Sequence, residues 1–363
     1  MTRMDPRNVP SLRLAAQGIA NAPRGTTPTQ AVARLAALQG QDIQSSLWAI
    51  GLRAPASTLA AVKAEVAARR IVRSWAQRGT LHWVAAADLR WMLALTAPRM
   101  LQEAAGRERR MGLTKETVDR ARKLLVKALT KGVQTREHLM LHLDEAGIST
   151  RDLRGYHMLW RLAHEGLICC AAPQGKEPTF ALLEAWVPPT KTWTQEESLA
   201  EQALRYFTAR GPCNLEDYVR WSGLTLKQAR IGLALAKPQL AVDQIRGVPV
   251  WLARAATPKA KTPELFLLPA YDEYLLGYRY RDAVLAPEYA VKICPGGNGI
   301  FRPMIVFQGR IIGTWKAALQ KGRIEVSPSP FQAWPKAVEG AFIRAAEGYV
   351  KFQGSGKNAV QIQ

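Results

Sequence analysis

The chain has 363 residues, of which 48% are hydrophobic and 22% are charged, a composition typical of a globular protein. This length exceeds what one ordinary hydrophobic core organises, so two or three domains are expected. No apolar run approaches the roughly 18 residues that a membrane span needs, and residues 1–10 lack the apolar stretch of a secretory signal. We therefore expect a protein that neither crosses a membrane nor enters the secretory route.

The charge of the chain is its most informative bulk property. Fifty lysines and arginines stand against 29 acidic residues, which gives a formal net charge of +21. An excess this large favours a polyanionic partner, and for a basic chain the usual polyanion is nucleic acid. The alternative is a basic surface that serves only solubility. Charge alone does not distinguish a protein that reads DNA from one that packages or repairs it.

The motifs of the chain predict neither a metal centre nor a nucleotide-driven activity. The cysteines form no C-x-x-C pair, and the His138–His142 spacing lacks the glutamate of an H-E-x-x-H motif. A phosphate-binding G-x-x-x-x-G-K-[ST] loop does not occur, and no cofactor is predicted. The cysteine spacing is typical of reduced, buried thiols in a cytosolic protein. These cysteines are Cys169, Cys170, Cys213 and Cys294.

Apolar residues recur in a pattern of three short helices followed by two strands. In the first copy, helical spacing and the extended runs after it predict five elements. They are helices at Val32–Leu38, Ile43–Ile50 and Leu59–Val66, and strands at Ile71–Trp75 and Thr80–Val84. Residues 76–79 are predicted to form a hairpin loop, in which Gly79 supplies the left-handed backbone. Three helices and a β-hairpin are the elements of a winged helix-turn-helix unit.

The second copy of the pattern starts near Thr114. Thr135 is predicted to be the N-cap of its second helix, and Gly166 is predicted to end its third helix. Extended runs at Leu167–Ala171 and Thr179–Glu184 then predict the two strands of its hairpin.

The third copy starts near Ser198, where Leu199–Ala209 has helical spacing. Asn214 with Asp217, and Thr225 with Gln228, have the spacing of capping residues at two further helix N-termini. Its predicted strands are Leu240–Ile245 and Val248–Ala253, joined by a turn at Arg246-Gly247.

The C-terminal part of the chain is predicted to be rich in strands. It follows a link rich in proline and lysine, Thr257–Pro263, and it ends in a helix at Pro335–Lys351 with Val338, Phe342, Ala345 and Tyr349 on one face. Its predicted strands and turn are Phe266–Leu268, Met304–Phe307, Ile311–Trp315 and the turn Gln308–Arg310.

The predicted fold class is therefore α+β, mainly α, with three tandem winged helix-turn-helix units and a C-terminal β-rich segment. The alternative is a chain of helices and hairpins without repeated domains, because a mixed sequence of this kind can be divided in several ways. The predicted division is an N-terminal segment at 1–26, winged helices at 27–95, 96–190 and 191–258, a β-rich segment at 259–335, and a helix and tail at 336–363.

Arginines cluster beside the predicted strands and helix ends, where a winged-helix fold presents them to a DNA backbone. Arginine donates paired hydrogen bonds to phosphate oxygens, so such a surface holds a duplex without reading its sequence. For each cluster the alternative is a solvated face, and for the histidine it is a strand residue that bonds within the sheet. The predicted DNA contacts are Arg69, Arg70, Arg73, Arg78, His82, Arg107, Arg109, Arg110, Arg151 and Arg154.

A polar sequence at the end of the first predicted helix is the candidate for chemistry. On a continuous helix Gln39 and Gln41 would point about 200° apart and could not share a substrate. Gly40 between them predicts a break in the helix, at which both amides can turn toward one point. Asp42 is a candidate either for an auxiliary negative charge or for the N-cap of the next helix. From spacing alone, the alternative is that Gln39, Gln41 and Asp42 are ordinary polar residues at a helix end.

Six short segments resemble one protein family. They are Ala37–Gln41, Gln77–His82, Tyr206-Phe207 with Gly211-Pro212, Trp221–Leu224, Leu268–Tyr274 and Gly313–Trp315. These segments resemble the winged-helix DNA glycosylases of bacteria that unhook interstrand crosslinks, the AlkZ-like and YcaQ-like proteins. They occur in family order over most of residues 10–330. The resemblance implies a C-shaped array of three winged helices around a DNA channel.

The resemblance also implies the catalytic residues. The AlkZ-like branch has a catalytic Gln-x-Gln, where the YcaQ-like branch has Gln-x-Asp. By matching position, Gln39 and Gln41 are the catalytic pair, and the chain falls in the AlkZ-like branch. Gly40 stands where the family usually has a larger apolar residue. The implied activity is that of a monofunctional glycosylase, which hydrolyses the N-glycosidic bond of N7-alkylated purines in double-stranded DNA. Interstrand crosslinks are a further candidate substrate.

Two other interpretations of the sequence stay open. One is a non-enzymatic DNA-binding protein, such as a winged-helix transcription regulator, against which three dissimilar units and the lack of an obvious dimerisation helix weigh. The other is recruitment of proteins through the β-rich segment at 262–331, for which no motif is present. A DNA-repair enzyme of this kind is predicted to be a monomer that associates with the nucleoid in the cytoplasm.

A salt titration of DNA binding tests the role of the charge. If arginines hold phosphates, the logarithm of the association constant falls linearly with the logarithm of salt concentration, with a slope of about −0.9 for each phosphate contacted. For roughly six contacts we expect the affinity to fall about 10³-fold between ~50 and ~200 mM salt. An affinity that does not change with salt would contradict a complex held by phosphate contacts.

Overall fold

The computed structural model describes residues 4–256, 265–320 and 323–354. In this part of the chain helices alternate with antiparallel strands, so the mixed class of helix and sheet is confirmed. The chain forms two compact units: the first contains Met1–Val62 and Leu199–Gln363, and the second contains Lys63–Ser198. The predicted link Thr257–Pro263 lies outside the described residues. None of the described helices has the length and apolar content that a bilayer crossing requires.

The first part of unit 1 is mainly helical. Its elements are a 3₁₀ turn at Pro6–Asn8, α1 at Val9–Ala16, α2 at Pro28–Leu35, β1 at Leu38–Gln39, α3 at Ile43–Arg53 and α4 at Leu59–Ala67, which continues into unit 2. A capping box starts α2, because Thr27 accepts from the Gln30 N–H and Gln30 accepts from the Thr27 N–H. The prediction that this helix reaches Leu38 is wrong. It ends at Leu35, since Ala36 has a left-handed φ of 61°.

Unit 2 contains a sheet and the helices that cover it. Its elements are β2 at Ile71–Gln77, β3 at Thr80–Ala85, α5 at Ala86–Arg110, α6 at Lys115–Leu129, β4 at Gln134–Thr135, α7 at Arg136–Glu145, α8 at Arg154–His164, β5 at Ile168–Cys170, β6 at Thr179–Leu182 and α9 at Leu183–Trp186. The strands run in the order β3-β2-β5-β6-β4, and each neighbouring pair is antiparallel. Leu125, Leu139, Leu159 and Ile168 lie in the core of this unit.

The first hairpin of unit 2 is tighter than predicted. The strand β2 continues to Gln77, which pairs with Thr80, so the loop is the two residues Arg78 and Gly79. Their φ angles of 52° and 68° are both left-handed, which is the geometry of a two-residue hairpin turn. The prediction of a four-residue loop at 76–79 is therefore wrong, because residues 76 and 77 belong to strand β2.

Several helix signals of unit 2 are confirmed. Thr114 accepts from the Thr117 N–H at the start of α6, and Thr135 accepts from the His138 N–H at the start of α7. Gly166 follows α8 with a φ of 71°. The 25-residue helix α5 was not predicted, and Arg107, Arg109 and Arg110 lie in its last turn.

The second part of unit 1 starts within α10 at Gln195–Arg210. The helices that follow are α11 at Leu215–Ser222, α12 at Leu226–Ala236, α13 at Glu273–Leu276, α14 at Ala290–Ile293 and α15 at Lys336–Phe352, with 3₁₀ turns at Lys237–Gln239, Pro287–Tyr289 and Pro295–Gly297. The strands are β7 at Leu240–Ile245, β8 at Val248–Ala253, β9 at Leu265–Leu268, β10 at Met304–Phe307, β11 at Arg310–Gln320 and β12 at Arg323–Pro330.

These elements form two antiparallel sheets. One is the hairpin β7-β8, and the other has the order β12-β11-β10-β9. The capping boxes predicted from Asn214 with Asp217 and from Thr225 with Gln228 are confirmed, as is the turn at Arg246-Gly247. Strand β12 was not predicted. In the described chain, a succession of three helices and an antiparallel strand pair occurs three times. The strand pairs are β2-β3, β5-β6 and β7-β8.

The C-terminal helix α15 packs its last turn on α3. The Trp48 ring lies 5.3 Å from that of Tyr349 and 5.0 Å from that of Phe352, measured between centroids. Gly51 on α3 makes room for this contact, since a Cβ atom there would lie 2.2 Å from the Phe352 ring. Helix α15 therefore holds α3, the helix that follows the glutamine pair in the chain.

The substitution Gly51→Ala tests this packing. An exposed glycine-to-alanine change within a helix usually stabilises it by about 1 kcal/mol, but overpacking a filled site costs about 1–3 kcal/mol. We expect Gly51→Ala to lower the free energy of unfolding, and Gly348→Ala on α15, where a Cβ meets nothing within 4 Å, to leave it unchanged or raise it. Phe352→Ala in the Gly51→Ala background should cost less than it costs alone. Chemical denaturation of the four variants measures these differences.

Candidate active site

The predicted glutamine pair lies in the non-helical connection between α2 and α3. Gln39 ends β1, and Gly40 and Gln41 follow outside any helix, so the segment is not helical, although the helix ends at Leu35 and not at Gly40 as predicted. The Gln39 side chain is 8% exposed, and among the described residues its Oε1 atom has no hydrogen-bond donor. Gln41 is exposed. Asp42 is the N-cap of α3, because its Oδ1 accepts from the Ser45 N–H at 2.7 Å.

One buried ion pair holds the backbone of this connection. The Arg210 guanidinium lies 2.8 Å from Oε2 of Glu273. It also donates to the carbonyl oxygens of Leu35 and Ala37, each at 3.0 Å. The other carboxylate oxygen of Glu273 accepts from the Gln39 N–H at 3.3 Å. A helix end whose carbonyls lack intrahelical donors is thereby satisfied, and Gln39 is placed by its main chain.

The surroundings of this ion pair complete its hydrogen bonding. Both side chains are fully buried, where two charges are costly to desolvate unless each polar atom finds a partner. The Trp221 indole N–H donates to Oε2 of Glu273 at 2.8 Å, and the Arg210 guanidinium lies 4.2 Å from the centre of the Trp221 ring. Tyr278 donates its hydroxyl to the Arg210 carbonyl at 2.8 Å. The pair is therefore fixed on several sides.

A second buried ion pair, on the neighbouring acidic residue, holds α3. The guanidinium of Arg53, the last residue of α3, donates to both carboxylate oxygens of Asp272, at 2.8 and 2.9 Å. It also donates to Oε1 of Gln17 at 2.8 Å, and Asp272 caps α13 by accepting from the Tyr274 N–H. Asp272 and Glu273 thus each bind one arginine. One arginine holds the chain before the glutamine pair, and the other holds the helix after it.

The chemistry available at this connection is that of neutral amides. A carboxamide has little basicity near neutral pH, so it acts through its dipole and its hydrogen bonds. A buried carbonyl oxygen without a donor is energetically unfavourable, so Oε1 of Gln39 has an unmet capacity to accept a hydrogen bond. Among the described residues, no group of three or more histidine, cysteine or acidic side chains is arranged to hold a metal ion.

The predicted DNA contacts differ in how available their charge is. Arg107, Arg109, Arg110 and Arg151 are exposed, and none of them has an ion pair within the described part of the chain. Arg107 also lies over the Trp160 ring, 5.8 Å from its centre. These four guanidinium groups are in a position to meet phosphates.

Other predicted arginines already have partners. Arg70 is paired with Glu65 at 2.6 Å, which raises the pKa of its guanidinium. Arg69 donates to the Ala185 carbonyl at 3.0 Å, and Arg154 donates to the Ser149 carbonyl at 3.1 Å. For these three, a phosphate would compete with an existing bond.

Two predicted contacts have little surface. His82 is fully buried in β3, with Nδ1 2.9 Å from the Thr80 carbonyl oxygen and Nε2 3.2 Å from the half-buried Arg78 guanidinium. This geometry matches the interpretation of a strand histidine that bonds within the sheet. Arg73 is 8% exposed in the central strand β2. Neither side chain has the free surface that direct phosphate contact requires, so burial argues against these two predictions.

The residues that place the glutamine pair were not predicted. Arg210, Asp272 and Glu273 are far from Gln39 in the chain, and Arg53 lies at the opposite end of α3, so no local spacing connects them. A signal existed, because Asp272 and Glu273 lie in the segment Leu268–Tyr274 that carries the family resemblance. The sequence did not predict that these oppositely charged side chains form buried ion pairs.

Comparisons with known proteins agree with this architecture. The model of the DNA glycosylase AlkZ-like family matches residues 32–352, a range that contains Gln39, Arg210 and Glu273. The chain is similar to an interstrand DNA cross-link repair glycosylase of Streptomyces sahachiroi, at 28% identity over 331 residues, which covers 85% of this chain and 87% of that protein. Its fold is similar to the solved structure of Streptomyces sahachiroi DNA glycosylase AlkZ, with a TM-score of 0.82, 23% identity and full coverage of both chains.

The substitution Glu273→Gln tests the buried ion pair. It leaves Arg210 charged and buried without a counter-ion, which costs about 3–5 kcal/mol of folding free energy. Glu216→Gln is the matched control, because Glu216 is exposed and its ion pair with Arg279 is worth at most about 1 kcal/mol. Urea denaturation measures both variants. Equal, small losses would contradict a structural role for the buried pair.

Proposed function

Because the chain belongs to the AlkZ-like family of DNA glycosylases, we propose that it hydrolyses the N-glycosidic bond of N7-alkylated purines in duplex DNA. We propose further that it unhooks interstrand crosslinks, since its Streptomyces sahachiroi relative is named an interstrand DNA cross-link repair glycosylase. The observation that carries the proposal is the buried Gln39 amide, whose backbone is held by Glu273 and whose Oε1 atom has no donor among the described residues.

The substrate explains why neutral amides suffice. A purine alkylated at N7 is cationic, so its bond to the sugar is weakened before the enzyme acts. The reaction then needs an oriented water and stabilisation of positive charge that develops on the sugar. Amide carbonyl dipoles provide both without a strong base. A carboxylate in place of Gln39 would add a negative charge whose desolvation this buried position does not offset.

We assign the two glutamines complementary roles. Oε1 of Gln39 accepts a hydrogen bond from the attacking water, and the exposed Gln41 amide holds that water or the sugar from the other side. The water oxygen bonds to C1′ as the C1′–N9 bond breaks, the bonding electrons neutralise the purine, and the water proton passes to solvent. The products are the free base and an abasic site. No protein amine takes part, so the proposed enzyme is monofunctional.

The finer architecture is part of the proposal. We interpret the three successions of helices and hairpin as winged helices at 27–95, 96–190 and 191–258, with a β-rich segment at 259–335. The exposed Arg107, Arg109, Arg110 and Arg151 bind backbone phosphates, since each has a guanidinium without an ion pair in the described chain. We propose that the enzyme acts as a monomer on the nucleoid in the cytoplasm.

The variants Gln39→Ala and Gln41→Ala test the catalytic assignment. Loss of one preorganised dipole at a reaction centre costs about 10²-fold or more in rate. We expect single-turnover excision of N7-methylguanine from a duplex oligonucleotide, detected by alkaline cleavage of the abasic product, to fall by about that factor in each variant. DNA affinity should stay near that of the unsubstituted protein.

The exposed Gln44 on α3 supplies the control, because Gln44→Ala changes the same side chain just beyond the pair. It should leave the excision rate unchanged. Full activity in the Gln39→Ala and Gln41→Ala variants would refute the catalytic assignment. No excision by excess unsubstituted protein would refute the proposed substrate.

A further inference from the structure

An arginine of unit 1 outside the predicted contacts forms no ion pair with any described residue. Arg281 is half-buried, and its Nε atom has no hydrogen-bond acceptor among the described residues. No carboxylate in the described chain forms an ion pair with it. Its guanidinium instead lies 5.4 Å from the centre of the Phe301 ring. Nε itself is enclosed, but a guanidinium charge without a carboxylate beside it favours an anion that is not part of the protein.

A second arginine adds to the positive charge at this position. Burial lowers the pKa of the Arg281 guanidinium, and the charge of Arg220 on α11 lowers it further. Arg220 is exposed and likewise has no ion pair in the described part of the chain. Two like charges near each other, one of them partly desolvated, are unfavourable in the free protein. A bound anion would relieve this repulsion.

This arginine pair is connected to the glutamine segment through two aromatic rings. The Phe301 ring that Arg281 covers lies 5.9 Å from the Tyr271 ring. Tyr271 is close enough to Asp42 for that carboxylate to raise the pKa of its hydroxyl, although burial is the larger cause. Asp42 directly follows Gln41. Tyr271 also has a left-handed φ of 61°, an uncommon backbone for a bulky residue that is often found at functional sites.

We propose that Arg281, with Arg220 beside it, binds a phosphodiester group of the DNA strand that carries the damaged nucleotide. The inference rests on the proposed function, in which that nucleotide reacts at Gln39 and Gln41. Phosphate oxygens match the paired donors of a guanidinium, and a DNA strand supplies such a group beside every base. Arg281 is then a positioning residue, which sets where along the strand the sugar meets the amides.

The neighbouring Arg279 provides a matched control. It lies two residues before Arg281, is exposed, and is paired with Glu216 at 3.3 Å. Its charge is thus already compensated, in contrast to that of Arg281. Arg281→Gln and Arg279→Gln remove the same charge from the same short segment. A general loss of positive charge would affect both variants equally.

The experiment combines these variants with neutralised phosphates. Duplexes carry a stable abasic-site analogue and one uncharged methylphosphonate, placed in turn at each position around the site, and binding is measured by fluorescence anisotropy. We expect Arg281→Gln to weaken binding of the all-phosphate duplex about tenfold, and Arg279→Gln to change it little. At one position, the methylphosphonate should weaken binding of the unsubstituted protein and have no effect on Arg281→Gln.

The thermal midpoint of unfolding separates positioning from support of the fold. Because Arg281 makes no ion pair in the described chain, Arg281→Gln should keep or raise the midpoint of the free protein while it loses affinity for DNA. Arg220→Gln, measured in the same way, repeats the test at the exposed member of the pair. The same methylphosphonate position should lose its effect in that variant.

Two results would overturn the proposal. A lowered midpoint in Arg281→Gln, with every methylphosphonate equally harmful to all proteins, would make Arg281 a structural residue. Inorganic phosphate that stabilises the unsubstituted protein but not Arg281→Gln, without a position-specific effect in DNA, would make the site one for free phosphate. A position-specific effect in a protein that excises no base would support the phosphate contact and refute the glycosylase proposal, so the two failures are distinguishable.

Discussion

The buried ion pair between Arg210 and Glu273 is the interaction on which the candidate active site depends. It connects residues from α10 and α13 to the main chain between α2 and α3, and it binds the Leu35 and Ala37 carbonyls and the Gln39 N–H at once. Two desolvated charges are a costly way to hold a loop, and hydrophobic residues would often hold it as well. Hydrophobic residues would not form directional hydrogen bonds to three backbone groups. These bonds keep a short irregular segment in one conformation.

The charges of unit 1 are arranged according to the chemistry proposed for it. The two buried acidic side chains beside this segment, Asp272 and Glu273, are each paired with an arginine, which leaves amides as the proposed reacting groups. A cationic purine requires no strong base, and an uncompensated buried carboxylate would be costly in the free enzyme. Arg281 differs from these residues, because its partly desolvated positive charge forms no ion pair with a carboxylate of the described chain. Paired charges support the backbone, and in our proposal Arg281 binds a phosphate of the DNA.

Much of the local structure could be predicted from the sequence because it depends on near neighbours. Capping at Thr135, Asn214 and Thr225 follows from side chains three residues apart, and the β7-β8 hairpin follows from its alternation and its Arg246-Gly247 turn. The predictions fail where residues distant in the chain determine the local structure. The first helix ends at Leu35, where Arg210 binds the Leu35 and Ala37 carbonyls, and His82 is buried within the sheet although Arg78 and Gly79 lie close to it in the sequence.

The sequence by itself determined the family, the basic character and the identity of the glutamine pair, since motif residues and net charge are properties of the chain alone. It also predicted that the segment with Gln39 and Gln41 is not helical, although not that the helix ends at Leu35 or what the segment would bind. Only the tertiary structure decided which arginines are exposed and that Glu273 places Gln39. These outcomes depend on burial and, for Gln39 and Glu273, on a contact between residues more than 200 positions apart in the chain, which no spacing along the sequence encodes.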